Sequence, residues 1–245
     1  MMHFGIIGNP LKQSFSALYF TEKFSREGID ADYRLFPLQD IREFEALCEK
    51  HNFTGLNVTL PFKEAIIPYL DGLDETAKGV GAVNVIHFTE GRRIGYNTDT
   101  RGFKESISPL LQPYHNNALI LGTGGAAKAA RYALKSLGVE TSFVSRSADY
   151  DYTYTTLTKD IIEKHLLIVN CTPVGMYPET EACPNLPYKF ITSKHLLYDV
   201  IYNPDMTLFL KRGKEQGATV CNGLGMLHKQ AESAWQIWAG GIKEK

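Results

Sequence analysis

The sequence predicts an α/β protein of two domains with a cleft between them, the first built on a mixed sheet and the second on a parallel one. Three observations carry that expectation. Short apolar runs alternate with stretches whose apolar residues recur at spacings of three and four, the signature of buried strands joined by amphipathic helices. Runs 82–88 and 93–96 flank Glu90-Gly91 and read as a hairpin, which adds antiparallel pairing to the first sheet. A glycine-rich turn, Gly122-Thr123-Gly124-Gly125-Ala126-Ala127, stands between an apolar strand and an alanine-rich helix.

In the first domain, residues 4–7 form a buried strand ended by Gly8-Asn9-Pro10, and 15–26 a helix with Phe15, Leu18, Tyr19 and Phe24 near one face. A strand at 33–36, a helix at 41–48 and a strand at 56–60 stopped by Pro61 follow, then short helical pieces at 64–70 and 75–79 before the hairpin. The domain spans 1–99, and the second domain spans 100–225. A connecting helix leads to strands at 118–121, 141–144, 166–170, 195–200 and 219–220, with the glycine-opened helix at 126–137. Alternating tyrosines at 148–155 suggest an exposed extended piece where a crossover helix is otherwise expected. A last helix, near 226–245, carries Leu227, Ala231, Ala234, Trp235 and Trp238 on one side and packs back toward the first domain.

Composition narrows the function classes. With 44% hydrophobic and 22% charged residues among 245, the chain reads as an ordinary globular protein long enough to bury a core. The formal net charge is -1 with Lys and Arg spread throughout, so no basic stripe points to nucleic acid. Cys48, Cys171, Cys183 and Cys221 form no C-x-x-C pair, which argues against structural zinc and a disulfide framework. The histidines show no H-E-x-x-H spacing, and no metal is expected. The N-terminal apolar run is too short for a signal peptide, and no run approaches the roughly 20 residues of a membrane span. The expected location is the cytoplasm, with small-molecule partners and neither nucleic acid nor membrane.

The glycine turn carries the most chemistry. Gly122, Gly124 and Ala127 fit G-x-G-x-x-G/A. The first glycine makes the tight turn, the second lets a pyrophosphate approach the backbone, and the small third residue lets helix and strand pack closely. Phosphates would then meet free amides at a helix N-terminus. The alternative is a glycine turn that binds nothing. The context favours a Rossmann-type dinucleotide-binding domain. Its second strand ends in Val144-Ser145-Arg146-Ser147 with no carboxylate at the tip, which favours NADP (NADPH) over NAD, since a guanidinium flanked by hydroxyls suits a 2′-phosphate. Arg146 as a solvated surface residue is the alternative, and Asp149 weighs the other way.

Polar side chains gather at strand ends in the first domain. In Asn57-Val58-Thr59-Leu60-Pro61-Phe62-Lys63, Asn57 and Thr59 share a face. Pro61 fits a helix start and places Lys63 in the first turn, where the helix dipole disfavours a cation and pushes the amine toward proton transfer. A surface lysine is the bland alternative. Asp99 in Asn97-Thr98-Asp99 is either a helix N-cap or a carboxylate that holds Lys63 charged. Ser14 and Ser16 either hold a substrate carboxylate or cap the next helix.

Together these segments resemble the shikimate dehydrogenase family over almost the whole chain. Gly8-Asn9-Pro10 with Ser14 and Ser16 resembles the family's opening substrate motif, Asn57 to Lys63 its N-V-T-x-P-x-K, Gly81-Ala82-Val83-Asn84 its G-A-V-N and Asn97-Thr98-Asp99 its N-T-D. Asn170-Cys171-Thr172-Pro173-Val174-Gly175-Met176 is similar to N-x-T-P-x-G-M, Asp199 to Pro204 to D-x-x-Y-x-P, and Asn222 to Ala231 to the closing N-G-x-x-M-L-x-x-Q-A.

The resemblance implies reversible NADP-linked interconversion of 3-dehydroshikimate and shikimate on the chorismate route to aromatic compounds. It implies Lys63 and Asp99 as catalytic pair, and Ser14, Ser16, Asn57, Thr59, Asn84, Asp99, Tyr202 and Gln230 as substrate contacts. It assigns Glu75, Gly122, Thr123, Gly124, Gly125, Ala126, Ala127, Ser145, Arg146, Ser147, Thr172, Val200, Gly223 and Met226 to the cofactor; a monomer or homodimer is expected. Three departures stand out: Gln13 and Ala17 replace residues of the usual H-S-x-S-P, Thr100-Arg101 follows Asp99 where Gly is common, and the stretch from Arg146 to Asn170 is short. Alternatives are a quinate/shikimate dehydrogenase with broader substrate or NAD use, and a catalytically inactive NADP-binding redox sensor.

Overall fold

The computed structural model describes residues 1–11 and 14–240; the departure at Gln13 and the end of the helix expected near 226–245 lie outside these. The chain divides into two compact units, Met1–Thr98 with the chain from Gln230 on, and Asp99–Lys229.

The first unit comprises β1 (Met2–Gly8), α1 (Phe15–Glu27), β2 (Ala31–Pro37), α2 (Phe44–Lys50), β3 (Gly55–Val58), β4 (Gly72–Leu73), α3 (Glu75–Val80), β5 (Val85–Thr89) and β6 (Arg92–Tyr96). Its sheet runs β2-β1-β3-β5-β6-β4. β1 pairs parallel with β2 and β3, whereas β5 is antiparallel to both β3 and β6, so the sheet is mixed. Strand side chains alternate between faces, and both faces of β1 are covered. Phe4 and Ile6 pack with Phe20, Phe24 and Tyr33, while Ile7 packs with Leu56, Val58, Phe44 and Ile86. Ala231, Ala234 and Trp238 of the last helix, α8 (Leu224–Gly240), join the first of these faces. The Trp238 indole N–H donates to the Ile86 carbonyl at 3.0 Å, and a Cβ at Gly55 would run into that indole. Lys23, almost wholly buried, is held by Glu27 at 3.2 Å and Glu232 at 3.3 Å, which ties α1 to α8.

One expectation fails here. No α-helix begins at Pro61: residues 60–66 form successive turns that end in a single 3₁₀ turn, Ile67–Tyr69. The Lys63 carbonyl, which a helix would give to the Ile67 amide, instead accepts from Val83 N–H at 2.7 Å, and Ile67 N–H donates to Glu64. Pro68, with no N–H, stops the ladder from resuming. The helix-dipole argument for Lys63 therefore falls.

The second unit comprises α4 (Asp99–Ile107), β7 (Asn117–Leu121), α5 (Gly125–Ser136), β8 (Glu140–Ser145), β9 (Tyr152–Thr153), α6 (Lys159–Lys164), β10 (Leu167–Asn170), β11 (Leu196–Asp199), α7 (Leu208–Glu215) and β12 (Thr219–Cys221). The sheet is parallel throughout, in the order β12-β11-β10-β7-β8-β9. Chain direction across the sheet reverses between β7 and β10, the switch point of a doubly wound fold, where ligands meet the carboxyl ends of strands. Ala118 and Ile120 face one half of the core and Leu119 and Leu121 the other. The tyrosine-rich stretch does contain the edge strand β9, but the crossover to β10 also holds the short helix α6.

Candidate functional site

In the first unit the family-matched polar residues converge at the end of β3 and the start of β5. Asn57, Asn84 and Gln230 are each at most 7% exposed, a costly burial for amides unless their groups are paired. They pair with one another and with the backbone. Asn57 Nδ2 donates to the Asn84 carbonyl at 3.3 Å. Asn84 Nδ2 donates to Thr98 Oγ1 at 2.9 Å and to Gln230 Oε1 at 3.4 Å, while its Oδ1 accepts from Thr98 N–H at 2.7 Å. Asn97 Nδ2 donates to the Ala82 carbonyl at 2.9 Å, locking the N-T-D segment onto the G-A-V-N segment. The Val83–Lys63 bond brings the backbone of Lys63 to the same place.

The opening turn lies against this group. Asn9 N–H donates to the Leu60 carbonyl at 2.9 Å, and a Cβ at Gly8 would strike the Thr59 methyl. Ser14 occupies the N-cap position of α1 with no side-chain capping bond, so its hydroxyl is not spent on the helix. Ser16 is buried and faces Tyr33, a residue the sequence did not single out. The Tyr33 hydroxyl donates to Asn57 Oδ1 at 2.6 Å. Burial raises its pKa well above the ordinary phenol value, with the Ser16 hydroxyl pulling the other way, so the hydroxyl remains a donor. Thr98 is likewise absent from the sequence-based assignment. Its place inside N-T-D was the available signal; Tyr33, one polar tip in an apolar strand, gave none.

Asp99 is the first residue of α4 and is buried, where the helix dipole favours a carboxylate. Glu75 sits in the first turn of α3, 89% exposed and 2.6 Å from Lys78.

In the second unit the glycine turn joins β7 to α5. Gly122 adopts φ +97, which favours glycine, and its N–H donates to the Val144 carbonyl at 2.9 Å. Gly124 is the N-cap of α5; no side chain caps the helix, and nothing lies within 4 Å of where a Cβ would project from it. The first amides of a helix have no partner within the helix, and such N-termini suit anions. At the tip of β8, Ser145 is half-buried and Arg146 and Ser147 are exposed, with the Ser147 hydroxyl donated to Asp149 Oδ2 at 2.6 Å.

Thr172, Val200 and Gly223 are placed by one network at the carboxyl ends of β10 and β11. Asn170 Oδ1 accepts from both Thr172 N–H at 3.1 Å and Thr172 Oγ1 at 2.7 Å. Val200 N–H donates to the Asn170 carbonyl at 3.0 Å, and Gly223 N–H to that of Ile201 at 3.0 Å. A Cβ at Gly223 would run into the Val200 carbonyl. Met226 is buried in the core with Phe103 and Ile107, and Tyr202 is 39% exposed. Among the described residues no cluster of His, Cys, Asp and Glu suits a metal ion, and no helix is long and apolar enough to cross a membrane.

Comparison with known proteins agrees with this arrangement. The family model for the shikimate dehydrogenase substrate binding domain matches residues 6–86, the segment that holds Asn57 and Asn84 of the buried polar group. The chain is 36% identical to a shikimate dehydrogenase (NADP(+)) of Methanosphaera stadtmanae, over 96% of this chain and 90% of the relative. It is 37% identical to another of the same name from Carboxydothermus hydrogenoformans, over 96% and 91%. The crystal structure of shikimate 5-dehydrogenase from Thermus thermophilus in complex with NADP(H) and shikimate matches with a TM-score of 0.87 and 31% identity, covering 98% of this chain and 94% of that one. Likeness of sequence and fold extends through both units, and the chain belongs to the shikimate dehydrogenase family.

Proposed function

We propose that this chain catalyses the reversible NADP-linked reduction of 3-dehydroshikimate to shikimate, a step toward chorismate and the aromatic amino acids. The observation that carries the reading is the buried, mutually hydrogen-bonded group Asn57, Asn84, Thr98 and Gln230, a concentration of polar side chains that suits a small ligand rich in hydroxyls. NADPH, when bound, supplies the hydride. Lys63 gives the proton to the oxygen that gains negative charge, and Asp99 assists it. Ser14 and Ser16 hold the substrate carboxylate, with Thr59 and Tyr202 as further contacts.

The amides at Gly122, Thr123, Gly124, Gly125, Ala126 and Ala127 take the pyrophosphate, Ser145, Arg146 and Ser147 the 2′-phosphate, and Thr172, Val200, Gly223 and Met226 the nicotinamide side, with Glu75 bordering the cofactor. The protein works in the cytoplasm as a monomer or homodimer. Both named relatives are NADP(+) enzymes, and neither the broader quinate or NAD reading nor the inactive sensor gains support from them. Lys63→Ala tests the assignment: turnover falls by at least about a hundredfold while NADP affinity is kept, and unchanged turnover removes Lys63 from the reaction.

A further inference from the structure

Asp199, the last residue of β11, is wholly buried. Its Oδ1 accepts from Asn170 Nδ2 at 3.1 Å and from Ile201 N–H at 3.1 Å, and its Oδ2 from Thr207 Oγ1 at 2.6 Å. Among the described residues no cation pairs with it. A buried carboxylate held only by neutral donors is expensive, so a purely structural position would be served better by an uncharged residue. Each donor leads somewhere definite. Asn170, its amide turned by Asp199, presents Oδ1 to Thr172; Ile201 holds Gly223, and Thr207 caps α7.

We propose that the Asp199 carboxylate is a positioning residue for the nicotinamide half of the cofactor, setting Thr172 through Asn170 and Val200 and Gly223 through Ile201. The inference rests on the NADP reading above. It assigns Asp199 no contact with the cofactor. Protonation at Oδ1 would set a proton against two N–H donors, and at Oδ2 it would turn the Thr207 hydroxyl from donor to acceptor; either way the negative charge that holds these donors is lost. Burial pushes the Asp199 pKa up to about 6, so the change falls in an accessible range. The titratable groups that face it are Tyr188 and Tyr198, both phenols that burial pushes further up, with Arg212 over the Tyr188 ring at 5.3 Å. None of these changes charge near neutrality. Cofactor binding prefers the carboxylate form, and affinity falls as pH drops through the Asp199 titration.

The test compares dissociation constants of NADP and 2′,5′-ADP by calorimetry between about pH 8 and about pH 5.5. The second ligand has the 2′-phosphate but no nicotinamide, and so reports the phosphate's own titration. For the parent protein NADP affinity should fall up to about fourfold more than that of 2′,5′-ADP over this range, the loss of the ionised fraction of a group titrating near 6. Asp199→Asn should bind NADP about tenfold more weakly near neutrality, bind 2′,5′-ADP as before, and lose the extra pH dependence. Thr207→Val, which removes one donor at constant charge, should weaken NADP in the same selective way and covers the case in which Asp199→Asn fails to fold. Equal pH slopes for the two ligands in the parent protein, or equal weakening of both in the variants, would overturn the proposal. Failure of the parent protein to bind either ligand would overturn the NADP reading and this inference with it.

Discussion

The Tyr33 hydroxyl donates to Asn57 Oδ1 at 2.6 Å, and this bond fixes which way a buried amide of the candidate substrate site points. The Tyr33 ring stacks on Phe20 at 5.1 Å and 15°, so Tyr33→Phe keeps the packing and deletes the donor. The loss leaves Asn57 Oδ1 short of a partner and should cost ~1–2 kcal/mol of stability by denaturant unfolding. It should also raise KM for shikimate several-fold, because Asn57 is freed to turn, with NADP affinity unchanged. A loss of stability with KM unmoved would make Tyr33 purely a packing residue.

The proposed function assigns the cofactor preference to Arg146. Arg146→Asp should weaken NADP by about a hundredfold and NAD by far less, because only the 2′-phosphate needs the guanidinium. Equal weakening of both, measured by titration, would remove the 2′-phosphate from this residue. Asp149→Asn should move NADP affinity the other way by a few-fold, since it removes a negative charge from the carboxylate that now receives the Ser147 hydroxyl.

Gly55 lies under the Trp238 indole, and a Cβ there has nowhere to go. Gly55→Ala should destabilise the protein by ~2–3 kcal/mol through displacement of a fully buried aromatic, with Trp fluorescence shifting to the red. NADP titration should be unaffected, because Gly55 and Trp238 belong to the first unit and the glycine turn to the second.

Asp199 also makes stability depend on pH. Its folded pKa, about 6, lies above the ordinary 3.8, so folding favours the protonated form. The sign follows from linkage: below about pH 4 both states hold the proton and there is no penalty. As pH rises through about 6 the folded state is forced to ionise, and the penalty grows to at most ~3 kcal/mol. Asp199→Asn should therefore be more stable than the parent near neutrality, and the difference should vanish in acid. Melting curves across this range that show a constant difference would exclude ionisation as its source.

The parts of the fold legible in the sequence were those set by local chemistry. Glu90-Gly91 closes β5 and β6, with φ of 52° and 74°, as two turn residues between strand runs suggest. Gly122, at φ +97, makes the turn that leads into α5. What escaped was set by distant contacts. Lys159 to Lys164 forms α6 with Ile161 and Ile162 adjacent, too little for a helical period to register. Residues 60–66 read locally as the way into a helix, but a carbonyl claimed by Val83 decides otherwise. Tyr33 meets Asn57 across 24 residues, and Asp199 meets Asn170 across 29. Both contacts depend on strand register, which no single stretch of sequence contains.

Nicotinamide reduction by the purified protein, offered shikimate and quinate each with NADP and NAD, bears on the function itself. Turnover with shikimate and NADP, with the other three combinations far slower, is the expected result. Absence of turnover in all four combinations, with NADP still bound, would contradict the assignment of this chain as a shikimate dehydrogenase in catalysis and make it a nucleotide-binding protein that has lost the reaction.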